Sequence, residues 1–195
     1  MRTQRVIPRR GWITGLTAGS VAGLWTGFAH SGAAVAVSLS ELVHSSQHIV
    51  VATAREATSA WERLGGGRRL VTYSRLEVHQ PLDGRDPSSA DLYVRTLGGQ
   101  LGDVGQIVFG EATLSHGELC VVFLREAEPA LFSVCAMAQG HYPLRRDDKG
   151  IERLQLSPRL PHLLRPSTNT AVYRLRGRSL TGCEHLLAEV QHDDR

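Results

Sequence analysis

Leu70-Val71-Thr72-Tyr73-Ser74-Arg75-Leu76-Glu77-Val78 alternates with period two, setting Leu70, Thr72, Ser74, Leu76 and Val78 on one face and Arg75 and Glu77, with His79, on the other. Successive side chains of a strand point to opposite faces, so the pattern describes a strand with one face on a core. Working outward, Gly65-Gly66-Gly67 forms a turn before it, and Ile49-Val50-Val51-Ala52-Thr53-Ala54 is a β-branched, apolar strand before that turn. Downstream, Pro81 to Ser89 reads as a loop and Leu92-Tyr93-Val94-Arg95-Thr96 as a third strand. Leu119-Cys120-Val121-Val122-Phe123-Leu124 and Leu131-Phe132-Ser133-Val134-Cys135-Ala136 are apolar on both faces, as central strands are, and flank a short turn containing Pro129. Five principal strands predict a mostly β domain, a small five-stranded barrel of the oligonucleotide/oligosaccharide-binding (OB) type, with a β-sandwich as the alternative. Closure of that kind removes the exposed strand edges that invite aggregation.

Helices flank the strands. Ser38-Leu39-Ser40-Glu41 has the spacing of a capping box, with Val37 and Leu42 as a hydrophobic staple, and predicts a short helix through about Val43. Leu156 to Thr170, with Pro158, Pro161 and Pro166, reads as an extended strap. A C-terminal helix is expected from about Thr181, with Thr181 and Glu184 at capping-box spacing and Cys183, Leu186, Leu187 and Val190 as its apolar stripe. Gly98-Gly99, Gly102 and Gly105 punctuate a tight excursion leading into Ile107-Val108-Phe109, which has the composition of a further strand.

The amino-terminal region has a different character. Arg2, Arg5, Arg9 and Arg10 precede an apolar, glycine-rich run from Trp12 to Ala29, and Ala34-Val35-Ala36 offers a small-x-small cleavage site. Residues 1–36 are therefore expected to be an export signal peptide, with 37–150 as the β-barrel domain and 151–195 as the strap and helix packed on it. Arg9-Arg10-Gly11-Trp12-Ile13 has the form of a twin-arginine signal. If uncleaved, the run would be the chain's only link to a membrane. A secreted or periplasmic monomer follows. The leader holds four of the 22 Lys+Arg and none of the 19 Asp+Glu, which leaves 18 against 19 in the rest, about −1. The pI near 9.0 is thus no argument for nucleic acid, and Lys149 is the only lysine.

No catalytic motif stands out. The glycine cluster lacks the following helix and the lysine of a phosphate loop, and no G-x-S-x-G elbow is present. His44 and His48 have i, i+4 spacing without the glutamate of a zinc-protease helix. No cofactor is implied. His116, Glu118 and His141 lie near the ends of the two central strands and would make a metal or acid/base group if the fold assembled them. Cys120 and Cys135 are candidates for a cross-strand disulfide in an exported protein, with Cys183 left to pack. Arg75, Arg95, Gln100, Gln139, His141 and Tyr142 are the candidate recognition residues, being polar or aromatic groups in or beside strands and glycine turns.

Four segments carry a resemblance: Leu42-Val43-His44-Ser45-Ser46-Gln47-His48-Ile49-Val50-Val51-Ala52-Thr53, Thr72-Tyr73-Ser74-Arg75-Leu76-Glu77-Val78, Val94-Arg95-Thr96-Leu97-Gly98-Gly99 with Gly102 and Gly105-Gln106, and Ala138-Gln139-Gly140-His141-Tyr142-Pro143. In this order, over roughly Leu42 to Leu144, the chain resembles a group of uncharacterised secreted proteins of proteobacteria, notably myxobacteria. That resemblance implies a β-rich exported domain and brings no catalytic residues. Ile49-Val50-Val51-Ala52, then Thr72-Tyr73 leading to Leu82-Asp83-Gly84, is also similar to the barrel domain of tissue inhibitors of metalloproteinases. The zinc-chelating amino-terminal cysteine of those inhibitors has no counterpart near Val37, so this likeness implies the barrel alone. The expected function is an exported binding or accessory module engaging another exported protein. The alternatives are a protease inhibitor or protease-associated protein, and a small metal-dependent hydrolase built on His116, Glu118 and His141.

Overall fold

A computed structural model describes residues 32–87 and 89–193, so the expected leader lies outside the described residues as far as position 31. The chain is mostly β. The principal strands are β2 (His48–Leu64), β3 (Gly67–Pro81), β4 (Asp91–Leu97), β7 (Leu119–Glu128) and β8 (Leu131–Val134). β9 (His141–Arg146) and β10 (Glu152–Leu154) extend the sheet beyond β7, in the order β10-β9-β7-β2-β3-β4-β8. β8 pairs with both β4 and β7, so β2, β3, β4, β8 and β7 form a ring of hydrogen-bonded neighbours. Within it the β4–β8 pair is parallel and the others are antiparallel. Two smaller ladders accompany the ring. β1 (Ala33–Val35) runs parallel to β11 (His162–Leu164), and β5 (Gly99–Leu101) forms a hairpin with β6 (Val104–Gln106).

The ring separates two cores. Val50, Ala52, Leu76, Leu92, Val94, Cys120, Val122 and Phe132 fill its interior. Ile49, Val51, Val121 and Phe123, the alternate residues of β2 and β7, face outward against α1 (Leu39–His44), α2 (Ala171–Leu175) and α3 (Leu180–Asp193). That is why these strands are apolar on both faces: each wall is buried, one by the ring and one by the helices. The helix α1 has its expected capping box, with the Glu41 amide donating to Ser38 Oγ at 3.2 Å and the Ser38 amide to Glu41 Oε2 at 2.7 Å.

Several expectations are corrected. Ile107-Val108-Phe109 forms no strand; the glycine-rich excursion closes earlier as the β5–β6 hairpin, and Ile107 and Phe109 lie at the surface. α3 begins at Leu180, and Ser179 Oγ accepts from the Gly182 amide at 3.2 Å, while Glu184 accepts from Gln80 Nε2 instead of returning to Thr181. Cys120 and Cys135 are free and buried. The register explains this: Leu124 lies opposite Val134, so Cys135 stands level with Phe123, three residues along β7 from Cys120. Cys120 also faces the ring interior whereas Cys135 faces the helices. Burial pushes the Cys120 and Cys183 thiols up to about 12, away from thiolate chemistry.

Candidate functional site

On the outer face of β3 and β4, charged and aromatic side chains are set opposite one another. Alternation points Tyr73 and Arg75 outward on β3 and Tyr93 and Arg95 outward on β4, and the register pairs Tyr73 with Arg95 and Arg75 with Tyr93. Directly opposed side chains in an antiparallel pair lie close enough to interact, so the four form a diagonal Tyr/Arg quartet. Each guanidinium is held by two carboxylates. Arg75 donates through Nε and Nη2 to Glu56, the latter at 2.9 Å, and through Nη1 to Asp91 Oδ1 at 2.8 Å. Arg95 Nη1 donates to Glu62 Oε1 at 2.9 Å and Glu128 Oε1 at 2.7 Å. The bidentate Arg75 fork pulls the Glu56 carboxyl down to about 2. Burial works against the charge on Arg95, but Glu128 and Glu62 hold its pKa above the ordinary value. Burial, then the neighbouring Glu62, pushes the Tyr73 phenol up. Tyr93 is half exposed, at 52 %. The result is an aromatic surface whose two guanidinium groups are outnumbered by four carboxylates, a formal excess of negative charge.

The other candidate residues are not gathered here. Gln100 is exposed on the β5–β6 hairpin, its side chain donating to the Gly102 carbonyl at 3.2 Å. Gln139 is buried and bridges backbone: its Nε2 donates to Val35 O and its Oε1 accepts from the Val37 amide, each at 3.0 Å. Tyr142 is fully buried, edge-on to Phe123 with centroids 5.9 Å apart, and burial pushes its phenol pKa up.

His141 opens β9 inside the fold, and the fold brings Glu118 to it while leaving His116 elsewhere. His141 Nε2 faces Glu118 Oε1 at 3.2 Å without a well-aligned hydrogen bond, and its Nδ1 lies 3.1 Å from Ser157 Oγ. Glu118 Oε2 accepts from Arg145 Nη2 at 3.0 Å. Burial pushes the Glu118 carboxyl up, but His141 and Arg145 outweigh it and hold it below its ordinary value. His116 instead sets Nδ1 3.1 Å from the Arg55 carbonyl, at the surface. Among the described residues no group of three His, Cys, Asp or Glu is placed to hold a metal. Ser157, His141 and Glu118 superficially form a nucleophile, base and acid line. At 4 %, 0 % and 7 % exposure they are closed to a substrate, and the line fastens the strap, through Ser157, to the starts of β7 and β9.

Arg75 and Arg95 are among the recognition residues expected from the sequence, whereas Tyr73, Tyr93 and the four carboxylates are not. The signal was available in part: Tyr73 and Arg75, like Tyr93 and Arg95, are two residues apart and so share a strand face. Glu62 and Glu128 come from β2 and β7, and only the assembled sheet brings them to Arg95. Among the described residues no helix is long and apolar enough to cross a membrane. The chain matches no family model, no curated protein and no solved structure.

Proposed function

We propose that this chain is an exported binding or accessory module that engages another exported protein through the outer face of β3 and β4. The observation that carries the reading is the Tyr73–Arg95 and Arg75–Tyr93 quartet, ordered in advance by Glu56, Asp91, Glu62 and Glu128. Tyr and Arg dominate the energetics of protein interfaces, and side chains already fixed lose little entropy on docking. The balance of charge favours a protein over a nucleic acid, since each guanidinium is matched to two carboxylates and would have to break those pairs to reach phosphate. The same reading takes the ring as an OB-type barrel. Its circuit, β2-β3-β4-β8-β7 and back to β2, is a three-strand meander whose third strand runs parallel to the fifth, while the fourth returns to the first. Export by the leader and kinship with the secreted proteobacterial group belong to this proposal.

The test is retention of a partner from the envelope and medium of the native host by immobilised protein. Wild type and Tyr173→Ala, a change at an exposed site on α2, retain one exported protein in near one-to-one amount, and Tyr93→Ala reduces it at least tenfold. Loss of a central aromatic anchor commonly costs about 2 kcal/mol, roughly 30-fold in affinity. Equal retention by Tyr93→Ala, or no retained protein at all, overturns the proposal.

A further inference from the structure

The same two strands carry a second set of side chains on their inner face. Thr72 and Ser74 on β3 and Thr96 on β4 line a cleft of about 410 Å³, and the facing wall is supplied by the β5–β6 hairpin, by Thr113 and by Arg159 of the strap. The size falls in the roughly 300–1,000 Å³ range of small-molecule sites. Ser74 is 1 % exposed and its Oγ has no hydrogen-bond partner, and Thr113 Oγ1 is likewise buried and unpartnered. Buried hydroxyls are nearly always paired, and leaving one unpaired is destabilising.

We infer that this cleft binds a small, neutral, polyhydroxylated ligand of the size of one saccharide unit. Leu97, Ile107, Ala112 and Leu114 supply an apolar part of the lining, as the C–H face of a sugar requires, and the unpartnered hydroxyls select the polar chemistry. A hydroxyl both donates and accepts, so a set of Thr and Ser hydroxyls can match a ligand whose own groups are hydroxyls. Among the described residues no carboxylate lines the cleft and Arg159 is its only charged residue, too little to hold a dianion and not what an amine requires. An apolar ligand would leave Ser74 and Thr113 unpaired. The hairpin floor is built for close approach. A Cβ at Gly99 would stand 2.2 Å from Thr72 Oγ1 and 2.4 Å from Ser59 Oγ, and one at Gly98 would stand 2.7 Å from the Gln106 carbonyl. Bare backbone lets Thr72 Oγ1 donate to the Gly98 carbonyl at 2.8 Å, which fixes the hydroxyl row that a ligand would meet. Gln100 stands at the rim, giving one of the expected recognition residues a place in this site. The cleft is on the opposite face of β3 and β4 from the Tyr/Arg quartet, so the inference stands or falls independently of the proposed protein contact.

The experiment is an NMR titration of the full chain with glucose, N-acetylglucosamine and galactose, with glucuronate as the anionic comparison. At least one neutral sugar shifts the Gly98, Gly99 and Thr113 amide signals saturably, and Ser74→Ala weakens that binding at least tenfold. Gln100→Ala, at an exposed position where folding is undisturbed, weakens it at least threefold. The inference is overturned if none of the three sugars shifts those signals, which would make the cleft a water site. It is equally overturned if glucuronate binds more than tenfold tighter than the neutral sugars, or if both variants bind as wild type does.

Discussion

Replacing Gln139 by Ala removes the bridge that holds the entry segment of the chain to the fold. Gln139 is 3 % exposed and makes two hydrogen bonds of 3.0 Å, to Val35 O and from the Val37 amide. Each such bond contributes about 1 kcal/mol net. The groups left behind are only partly buried, so water replaces some of what is lost, and burial of the amide stem adds a small packing term. The sum is about 2 kcal/mol, roughly a 30-fold change in the folded-to-unfolded ratio. Urea denaturation should show a lower midpoint at unchanged slope. Hydrogen exchange supplies the local readout. The Val37 amide should lose protection by more than the global change, while the Ala36 amide, bonded to the Leu164 carbonyl at 3.0 Å, follows the global change alone. If Val37 exchange is unaltered, or stability moves by less than about 0.5 kcal/mol, Gln139 is not the clamp described. A chain cut after Ala36, the expected processing point, would keep the Val37 bond and lose the Val35 bond together with the β1–β11 ladder. It should therefore be less stable than the uncut chain, and Gln139→Ala should cost it less, one bond instead of two.

Two further outcomes follow from the same geometry. The folded Glu118 carboxyl titrates below its unfolded value, so its stabilising contribution is complete above the unfolded value and disappears as pH falls through the folded one. Glu118→Gln should remove that component. The difference in urea midpoint between wild type and variant should shrink steadily on acidification through the carboxylate range, and a constant difference there contradicts the assignment. Gly99→Ala, at φ +137 with Thr72 Oγ1 2.2 Å from the new Cβ, should cost about 2 kcal/mol or more, whereas Gly102→Ala, at φ +59 in open space, should cost about 1 kcal/mol. Thermal unfolding of the two variants measures this, and equal losses would show that the hairpin does not bear directly on the hydroxyl row.

What was legible in the sequence was what local spacing controls. The alternation of residues 70–78, the glycine turn before it, the Ser38/Glu41 cap and the apolar runs at 119 and 131 each appear where expected, because each depends on neighbours a few residues away. What was not legible depends on register between distant strands. The disulfide expectation needed Cys120 and Cys135 to be opposite, and the β7–β8 pairing offsets them by three residues. β2 carries two register shifts, between Val51 and Ala52 and between Ala54 and Ala57, on its β3 side. After the second, odd-numbered residues of β2 face the interior where even-numbered ones did before, so period-two reading along the full strand fails midway. β1 and β11 are three residues each, too short for periodicity to announce, and are held by Gln139 and by backbone pairing.

The location of the candidate surface follows from which walls of the ring are covered. β2 and β7 turn Ile49, Val51, Val121 and Phe123 outward, and α1, α2 and α3 must lie there to bury them. β9 and β10 continue that covered side, with Tyr142, Leu144 and Leu154 in the same outer core. β3 and β4 carry Tyr73, Arg75, Tyr93 and Arg95 at the equivalent outward positions, residues that need no helix over them. A helix laid across them would have to bury two guanidinium groups and their four carboxylates, and desolvating such pairs costs several kcal/mol per ion. The charges thus keep the wall open at the same time as the carboxylates hold it in order. A partner that docks there need not bury the ion pairs fully. Contact centred on Tyr93, with the Arg75 and Arg95 networks left at a wet rim, gains the aromatic area while avoiding most of that desolvation. The resulting expectation is specific: weakening by Tyr93→Ala should persist at high salt, because the anchor is apolar area, whereas the contribution of the rim charges should fade as salt screens them.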